Sequence, residues 1–432
     1  MNLKEIWQAR RRHVLLENTV MLYILQFSKV AIGLLTQGYE MRVLGMELVG
    51  TLGAAQYSAN LFQIFIDFGF ILSATAKISR RRDDKRELSR ILTSVVTAKI
   101  IFMILSGLAL TFLVVPKLVN TGEVLAYSFY LVSVVMASLL PDFMYRGLEM
   151  MSAITVRAVS IKLFAAVMIF VLVKGPETFF FVPLCTAMGN FGALAFVYWH
   201  LFRKVGVGFC RVKVWDVWNE TKESAQFFLS KAAGAINSNL NGILLNQISG
   251  SFSAGIYTSA DKVITVARSG MSPVADSLYP HMMKHRNFQI IKKAMLFVYP
   301  VILAGCAFVF VFAQPILTLW LGPEGKDVVA PLRLMIPVAV FCFPNYVLGY
   351  PTLGAMGLAK YANISVGFGT LVYLLGAGAA YFWFGINWVS LCLLSSITEF
   401  SILAFRVVVI AANRDRLRQR PETGAIPDGE DE

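Results

Sequence analysis

The chain has 432 residues, of which 57% are apolar and only 15% are charged. Soluble domains contain about 45–50% apolar and about 25% charged residues, so this composition and the mean hydropathy of +0.64 exclude a water-soluble fold, a disordered chain and a coiled coil. The formal net charge of +13 could indicate nucleic-acid binding in a soluble protein. In this apolar background it instead indicates basic loops beside membrane spans. We therefore predict an all-α integral membrane protein with no nucleic-acid partner.

Apolar segments long enough to cross a bilayer recur along the whole chain. A spanning helix needs about 20 mostly apolar residues, and we expect no cleaved signal peptide before the first such segment. We predict about twelve spans in six hairpins, at 18–39, 49–75, 91–115, 124–145, 152–174, 178–202, 223–248, 252–277, 294–314, 329–350, 362–384 and 386–411.

The basic residues between these spans alternate from one side of the membrane to the other. The segment 77–90 (KISRRRDDKRELSR) is strongly basic, as are the two termini, 203–222 and 284–293, whereas the other set of loops holds little beyond Arg42, Lys117, Lys174 and Lys326. Lys and Arg resist translocation. We therefore predict a multi-pass membrane protein with both termini cytoplasmic and a short cytoplasmic tail.

Two segments resemble each other at a constant offset. LGMELVGTLGAAQ (44–56) aligns with SGSFSAGIYTSAD (249–261), and Gly45, Gly50 and Ala55 match Gly250, Gly255 and Ala260 at a shift of 205. Each segment lies at the turn between the first and second helices of a six-helix half. We therefore predict two pseudo-symmetric six-helix lobes, 1–210 and 211–432, around a central cavity.

Polar and charged side chains form stripes on the first two predicted helices of each lobe. Charges inside a membrane cost about 2.5–3.5 kcal/mol on insertion scales, so they usually face a cavity or a partner. Small polar residues can also simply join membrane helices, but four matched stripes that carry basic residues favour a polar, net cationic cavity. The candidate substrate-binding residues are Lys29, Asn60, Asp67, Lys231, Asn241, Asp261, Lys262 and Arg268.

Other membrane-located charges receive different predictions. Lys99, Arg157 and Arg406 lie within about two turns of the inner surface, and we expect them to snorkel towards it. For Lys162, Arg333 and Glu399 the sequence leaves open both cavity lining and structural pairing.

Motifs for catalysis or cofactor binding are missing from the sequence. There is no GxxxxGK[ST], HExxH or GxSxG motif, His281 and His285 have no third metal ligand nearby, and the five cysteines form no CxxC pair. We therefore predict no catalytic residues, no metal and no cofactor.

Several stretches resemble bacterial polysaccharide-unit flippases: RVLGMELVGTLGAAQ (42–56), FQIFIDFGFILSATAKISRRRDDK (62–85), GIYTSADKVITVARSGMSPVADSLYPHMMK (255–284) and LWLGPEGKDVVAPLRLM (319–335). These Wzx-like proteins belong to the multidrug/oligosaccharidyl-lipid/polysaccharide exporter superfamily. The resemblance implies two six-helix lobes, alternating access and movement of an undecaprenyl-pyrophosphate-linked oligosaccharide from the inner to the outer leaflet. Residue by residue it extends only to Asp67, Asp261, Lys262 and Arg268.

The resemblance and the residues together predict a transporter that is not an enzyme. Its partners would be the lipid-linked glycan and the bilayer, with a polysaccharide polymerase and glycosyltransferases as further partners of a monomer. Two alternatives stay open at this point. One is a drug/cation antiporter of the same superfamily, which would favour an acidic cavity. The other is a polytopic membrane enzyme of polysaccharide assembly, for which the short outer loops leave little room.

Overall fold

The computed structural model describes the backbone of residues 3–114, 116, 118, 120–286 and 288–415. Within these ranges the side chains of 3–25, 29, 113, 151, 229–230, 276, 280–281 and 284–285 are outside the description. The described residues form helices and no strand, which confirms the predicted all-α class.

Fifteen α-helices make up most of this described part. They are α1 Leu3–Asp67, α2 Phe70–Arg80, α3 Lys85–Leu113, α4 Thr121–Leu139, α5 Asp142–Gly147, α6 Met151–Leu172, α7 Phe181–His200, α8 Val214–Leu244, α9 Ser251–His285, α10 Phe288–Lys293, α11 Tyr299–Val311, α12 Ala313–Leu321, α13 Val329–Val347, α14 Ala359–Ala379 and α15 Trp388–Ala412. Five π-helical segments continue some of these helices, at Leu201–Val205, Leu245–Ser249, Ala294–Val298, Leu348–Gly354 and Ala380–Phe384.

Nine helical segments of the described residues are long and apolar enough to cross a membrane. The first of them, Gln26–Arg80, contains the second predicted span and the first from residue 26 onwards. Helices α8 and α9, which we predict as the seventh and eighth spans, have 31 and 35 residues but are too polar to be counted among the nine. The protein is thus a multi-pass membrane protein, and the number of twelve spans stays a prediction.

Glycines break the helices at the two positions that the sequence offset relates. Gly45 interrupts α1 with φ 80° and ψ 170°, and Gly250 precedes α9 with φ 87° and ψ 164°. This region of backbone space is open essentially to glycine alone. The offset of 205 residues therefore relates two turns of the same backbone conformation.

Immediately after these turns, the two helices cross at very short range. A Cβ atom on Gly50 would lie 1.8 Å from the carbonyl oxygen of Ser251, and one on Gly255 would lie 2.2 Å from the carbonyl oxygen of Met46. Since 46 and 50 become 251 and 255 after the shift of 205, the two contacts are equivalent. The segment after Gly45 and the start of α9 therefore pack with local two-fold symmetry.

The chain divides into two compact units. The first comprises Met1–Thr258 and Thr318–Gly325, and the second Ser259–Leu317 and Lys326–Glu432. Buried side chains of α2, α3 and α5, including Phe70, Leu92 and Phe143, form a core of the first unit. A smaller core of the second unit includes Leu353, Leu358 and Ala362. The lobes predicted at 1–210 and 211–432 stay a prediction.

The end of α1 is fixed by a buried ion pair. The Nζ atom of Lys99 on α3 lies 2.8 Å from Oδ1 of Asp67 and donates to the carbonyl oxygen of Ser138 at 2.5 Å. The Lys99 side chain is only 2% exposed. The prediction that Lys99 snorkels is therefore wrong, because a carboxylate and a helix-end carbonyl inside the unit hold its ammonium group.

We expect Gly50→Ala to destabilise the protein. The new methyl group would overlap the Ser251 carbonyl oxygen, and overpacking of this kind costs about 1–3 kcal/mol. The thermal unfolding midpoint of the purified protein in detergent measures the effect. Gly107→Ala on α3 is the matched control, because a Cβ atom there meets nothing within 4 Å. Equal midpoints for the two variants would show that the close crossing is not needed for stability.

We expect Lys99→Met alone to lower the thermal unfolding midpoint more than the loss of both the Lys99 and the Asp67 charges does. Removing one partner of a buried pair costs about 3–5 kcal/mol because the other charge is left without compensation, whereas neutralising both can be nearly neutral. The unfolding midpoint of Lys99→Met should therefore rise when Asp67→Asn is added. A double variant no more stable than the single variant would contradict this account.

Candidate functional site

A charged and aromatic cluster lies where α1 ends in the first unit. Phe68 and Gly69 follow Asp67 with φ values of 37° and 81°, which ends the helix. The Phe68 ring stacks on Phe228 of α8 at 4.5 Å between centroids. Because Lys231 lies one turn beyond Phe228, its ammonium group comes within electrostatic range of Asp67 and Lys99.

Lys231 differs from Lys99 in its surroundings. Its side chain is exposed, and it forms no salt bridge with the described residues. Asp67 already pairs with Lys99, so one positive charge remains in excess among these three residues. An anion would be attracted to this excess charge.

The two asparagines among the candidate residues differ in accessibility. Asn60 on α1 is partly buried and donates to Oδ1 of Asn239 on α8 at 3.3 Å. Asn241 is 0% exposed and donates to the Tyr257 hydroxyl at 2.9 Å. The geometry of Asn241 suits packing between α8 and α9. Asn60, by contrast, keeps part of its amide accessible, and binding roles for both residues stay predictions.

The second unit holds a buried network centred on Glu399 of α15. Arg268 on α9 donates to Oε1 of Glu399 at 2.9 Å, and Asn345 on α13 donates to Oε2 at 2.9 Å. The Nε atom of Arg268 and Oδ1 of Asn345 are buried and have no hydrogen-bond partner among the described atoms. Of the two roles left open for Glu399, the structure thus shows structural pairing.

A second arginine joins the same network. Arg406, which is 8% exposed, donates through Nε to the Ser365 hydroxyl at 2.8 Å and through a terminal nitrogen to the carbonyl oxygen of Asn345. The prediction that Arg406 snorkels is therefore wrong. The carbonyl that it binds lies just before Leu348–Gly354, a π-helical segment interrupted at Gly349 and containing Pro351.

The hydrogen-bonded network itself contains two arginines and one carboxylate, so it carries one positive charge in excess before Asp261 is counted. Glu399 lies within salt-bridge distance of Arg268, whereas Arg406 has only neutral hydrogen-bond acceptors among the described residues. Asp261, two turns before Arg268 on α9, acts electrostatically on the Arg268 guanidinium. Lys262 is partly exposed and forms no salt bridge in the described part of the chain.

The structure brings some of the candidate residues together and not others. Asp67 and Lys231 come together in the first unit, and Asp261 and Arg268 share a face of α9 in the second. The side chain of Lys29 lies outside the described residues. Sequence reasoning missed Lys99, Glu399 and Arg406 as members of these clusters. The signal was available, because each is an ionisable residue within a predicted span, where a partner is expected.

Ion pairs also connect the basic loop 77–90 to other parts of the first unit. Lys77 pairs with Glu220 at 2.7 Å and Glu223 at 2.9 Å, and Arg82 pairs with Glu149 at 2.6 Å. The hydrogen bond that Arg82 donates to Glu149 raises the pKa of Arg82. Burial raises the pKa of the Glu220 carboxyl despite its lysine partner. These contacts hold the loop against α8 and the start of α6.

No group of three or more His, Cys, Asp or Glu side chains in the described residues could hold a metal ion. What the two clusters offer is fixed positive charge together with hydrogen-bond donors. Such a set suits the binding of an anion with polar substituents, since fixed cations offset the loss of its hydration.

Comparison with known proteins agrees with these features. A protein of Shigella dysenteriae named "Putative O-antigen transporter" is 23% identical over 376 residues, which cover 85% of this chain and 93% of that protein. The structure is similar to the lipid II flippase MurJ in an inward closed conformation, with a TM-score of 0.73 and 12% identity over 92% of this chain and 87% of that one.

A multidrug resistance MATE family transporter of the MOP superfamily, in an inward-facing conformation, gives a TM-score of 0.65 at 16% identity, over 92% of this chain and 99% of that one. Both similarities show that the chain has the same fold as these two transporters. The family model "polysaccharide biosynthesis protein" matches residues 15–286. The resemblance found in the sequence is therefore confirmed, and the chain belongs to the polysaccharide biosynthesis protein family.

Proposed function

We propose that this protein is a flippase that moves a lipid-linked oligosaccharide unit across the bacterial cytoplasmic membrane. The family, the relative named for O-antigen transport and the fold shared with a lipid II flippase support this proposal. The observation that carries it is the excess of positive charge within membrane helices, at Lys231 beside the Asp67–Lys99 pair and at Arg406 beside the Arg268–Glu399 pair.

The substrate proposed is an undecaprenyl-pyrophosphate-linked repeat unit, moved from the inner to the outer leaflet by alternating access of the predicted lobes. A pyrophosphate is a strong anion, and moving it into a low-dielectric interior requires compensating charge. Lys29, Lys231, Lys262 and Arg268 supply that charge in this proposal, and amides such as that of Asn60 suit the hydroxyl groups of a sugar. The protein itself performs no covalent chemistry.

We expect Lys231→Gln, Lys262→Gln, Arg268→Gln and Lys29→Gln to reduce transport. Loss of one charge-assisted contact costs about 1.5–3 kcal/mol, or roughly ten- to hundredfold in affinity. Lys231→Arg should retain much of the activity because it keeps the charge. The assay is glycan export in a strain that lacks its own flippase, with expression checked by immunoblot.

The matched control is Arg80→Gln. Arg80 ends α2, is exposed and forms no salt bridge among the described residues, so its loss should leave export unchanged. Arg268→Gln also leaves the Glu399 carboxylate without its cationic partner. The double variant Arg268→Gln, Glu399→Gln removes both charges and so separates folding from binding. It should fold but still export poorly. Full export by all four single variants at normal expression would overturn the assignment.

The orientation proposed places both termini and the 77–90 loop in the cytoplasm. In a background without the five native cysteines, Asp83→Cys should resist a membrane-impermeant thiol reagent added to intact cells, whereas Lys326→Cys should react. Both positions are exposed, and Asp83 is chosen because the neighbouring Asp84 caps α3. Reaction at position 83 in sealed cells would contradict the proposed topology.

A further inference from the structure

A groove runs along the first unit between α6 and α7, and its lining contains none of the candidate binding residues. Its volume is about 570 Å³, and its lining is mostly apolar, including Phe164, Met188, Gly189, Gly192 and Phe196. The side chains of Phe164, Met188 and Phe196 are exposed. In a multi-pass membrane protein, exposed apolar side chains at this depth face hydrocarbon, so the groove opens towards lipid.

Glycines create the depth of this groove. A Cβ atom on Gly189 would lie 3.0 Å from the Ile161 side chain, whereas one on Gly192 would meet no heavy atom within 4 Å. The space beside Gly192, which lines the groove, is therefore open. A side chain added there would project into the groove without displacing the protein.

Polar groups close one end of the groove. Arg157 near the start of α6, His200 at the end of α7 and Tyr145 of α5 all line it. The Tyr145 hydroxyl bonds Nδ1 of His200 at 2.9 Å, which leaves the ring's Nε2 outside that bond. Glu149, two residues before α6, pairs with Arg82 of the basic loop, so this end lies near the membrane surface that carries the loop.

Arg157 is the residue that points to a ligand. It is 9% exposed, one terminal nitrogen pairs with Asp142 at 2.7 Å, and its Nε is buried without a hydrogen-bond partner among the described atoms. The prediction that Arg157 snorkels is therefore wrong. An unpaired N–H of a buried guanidinium is costly, and a phosphate oxygen is a well-matched acceptor for it.

We propose that this groove binds a glycerophospholipid of the adjacent leaflet, with its phosphate at Arg157 and His200 and one acyl chain between α6 and α7. The length favours this occupant. The helix rises about 18 Å from Met188 to His200, close to half of the roughly 30 Å hydrocarbon core. A chain that belongs to one leaflet therefore fits from the polar end to the groove's apolar end.

The Asp142 carboxylate sets the preference among headgroups. It compensates Arg157 but would repel a second negative charge, so a phosphodiester with one charge fits better than a phosphomonoester. Arg146 on the same short helix forms no salt bridge among the described residues, so the polar end of the groove stays net positive. Phosphatidylglycerol meets both conditions.

The test is binding of phosphatidylglycerol to the purified, delipidated protein, followed by native mass spectrometry over a lipid titration. Gly192→Leu should fill the groove and weaken the tightest binding step by about tenfold, since the acyl chain loses its contact with both helices. Gly107→Leu on α3 is the matched control, because Gly107 also has nothing within 4 Å of an added Cβ atom.

A double variant tests the polar end of the groove. Arg157→Gln with Asp142→Asn removes the guanidinium without leaving an unpaired carboxylate, and should reduce selectivity for phosphatidylglycerol over phosphatidylethanolamine. Equal affinities for Gly192→Leu, Gly107→Leu and the unmodified protein would overturn the proposal, whatever the folding of the double variant. Because the assay contains no glycan and measures no transport, this result leaves the proposed flippase function untouched.

Discussion

The arrangement of the first unit depends on two helices approaching until their backbones touch. Gly50 and Gly255 make this contact possible, because neither has a Cβ atom to occupy the space that the facing carbonyl oxygens take. In a membrane, where apolar side chains gain little by leaving lipid, close backbone contact is a main source of helix association. The turns at Gly45 and Gly250 set the directions from which the helices enter this crossing.

A second constraint is that charged side chains within the helices need partners. Lys99, Arg157 and Arg268 each lie beside a carboxylate, and Arg406 is bonded to a hydroxyl and a carbonyl oxygen. A charge in such surroundings is tolerable only with partners of this kind. The partners in turn fix helix ends and helix pairs. The same side chains therefore stabilise the fold and produce the positive character that the proposed substrate requires.

Interruptions of regular helix geometry determine where these polar side chains lie. The α1 helix ends at Asp67 because Phe68 and Gly69 adopt positive φ values, and the backbone of α13 loosens into a π-helical segment directly after Asn345. Such interruptions free carbonyl groups from regular helix bonding, and tolerating them at membrane depth requires partners inside the protein. The Asn345 carbonyl, which also accepts from the Leu348 amide at the end of α13, has the Arg406 guanidinium as such a partner.

The sequence by itself determined the all-α membrane class, the superfamily resemblance and the glycine correspondence at an offset of 205, because composition, apolar length and glycine placement are local properties. It could also mark Asp67 and Arg268 as unusual, since charge within an apolar run needs a reason. Only the tertiary structure decided which charges pair. The predicted spans place Lys99, Arg157 and Arg406 close enough to the membrane surface to reach water, but side chains more than twelve residues away along the chain hold them inside. Such pairing depends on which helices pack together, and no local pattern in the sequence specifies that.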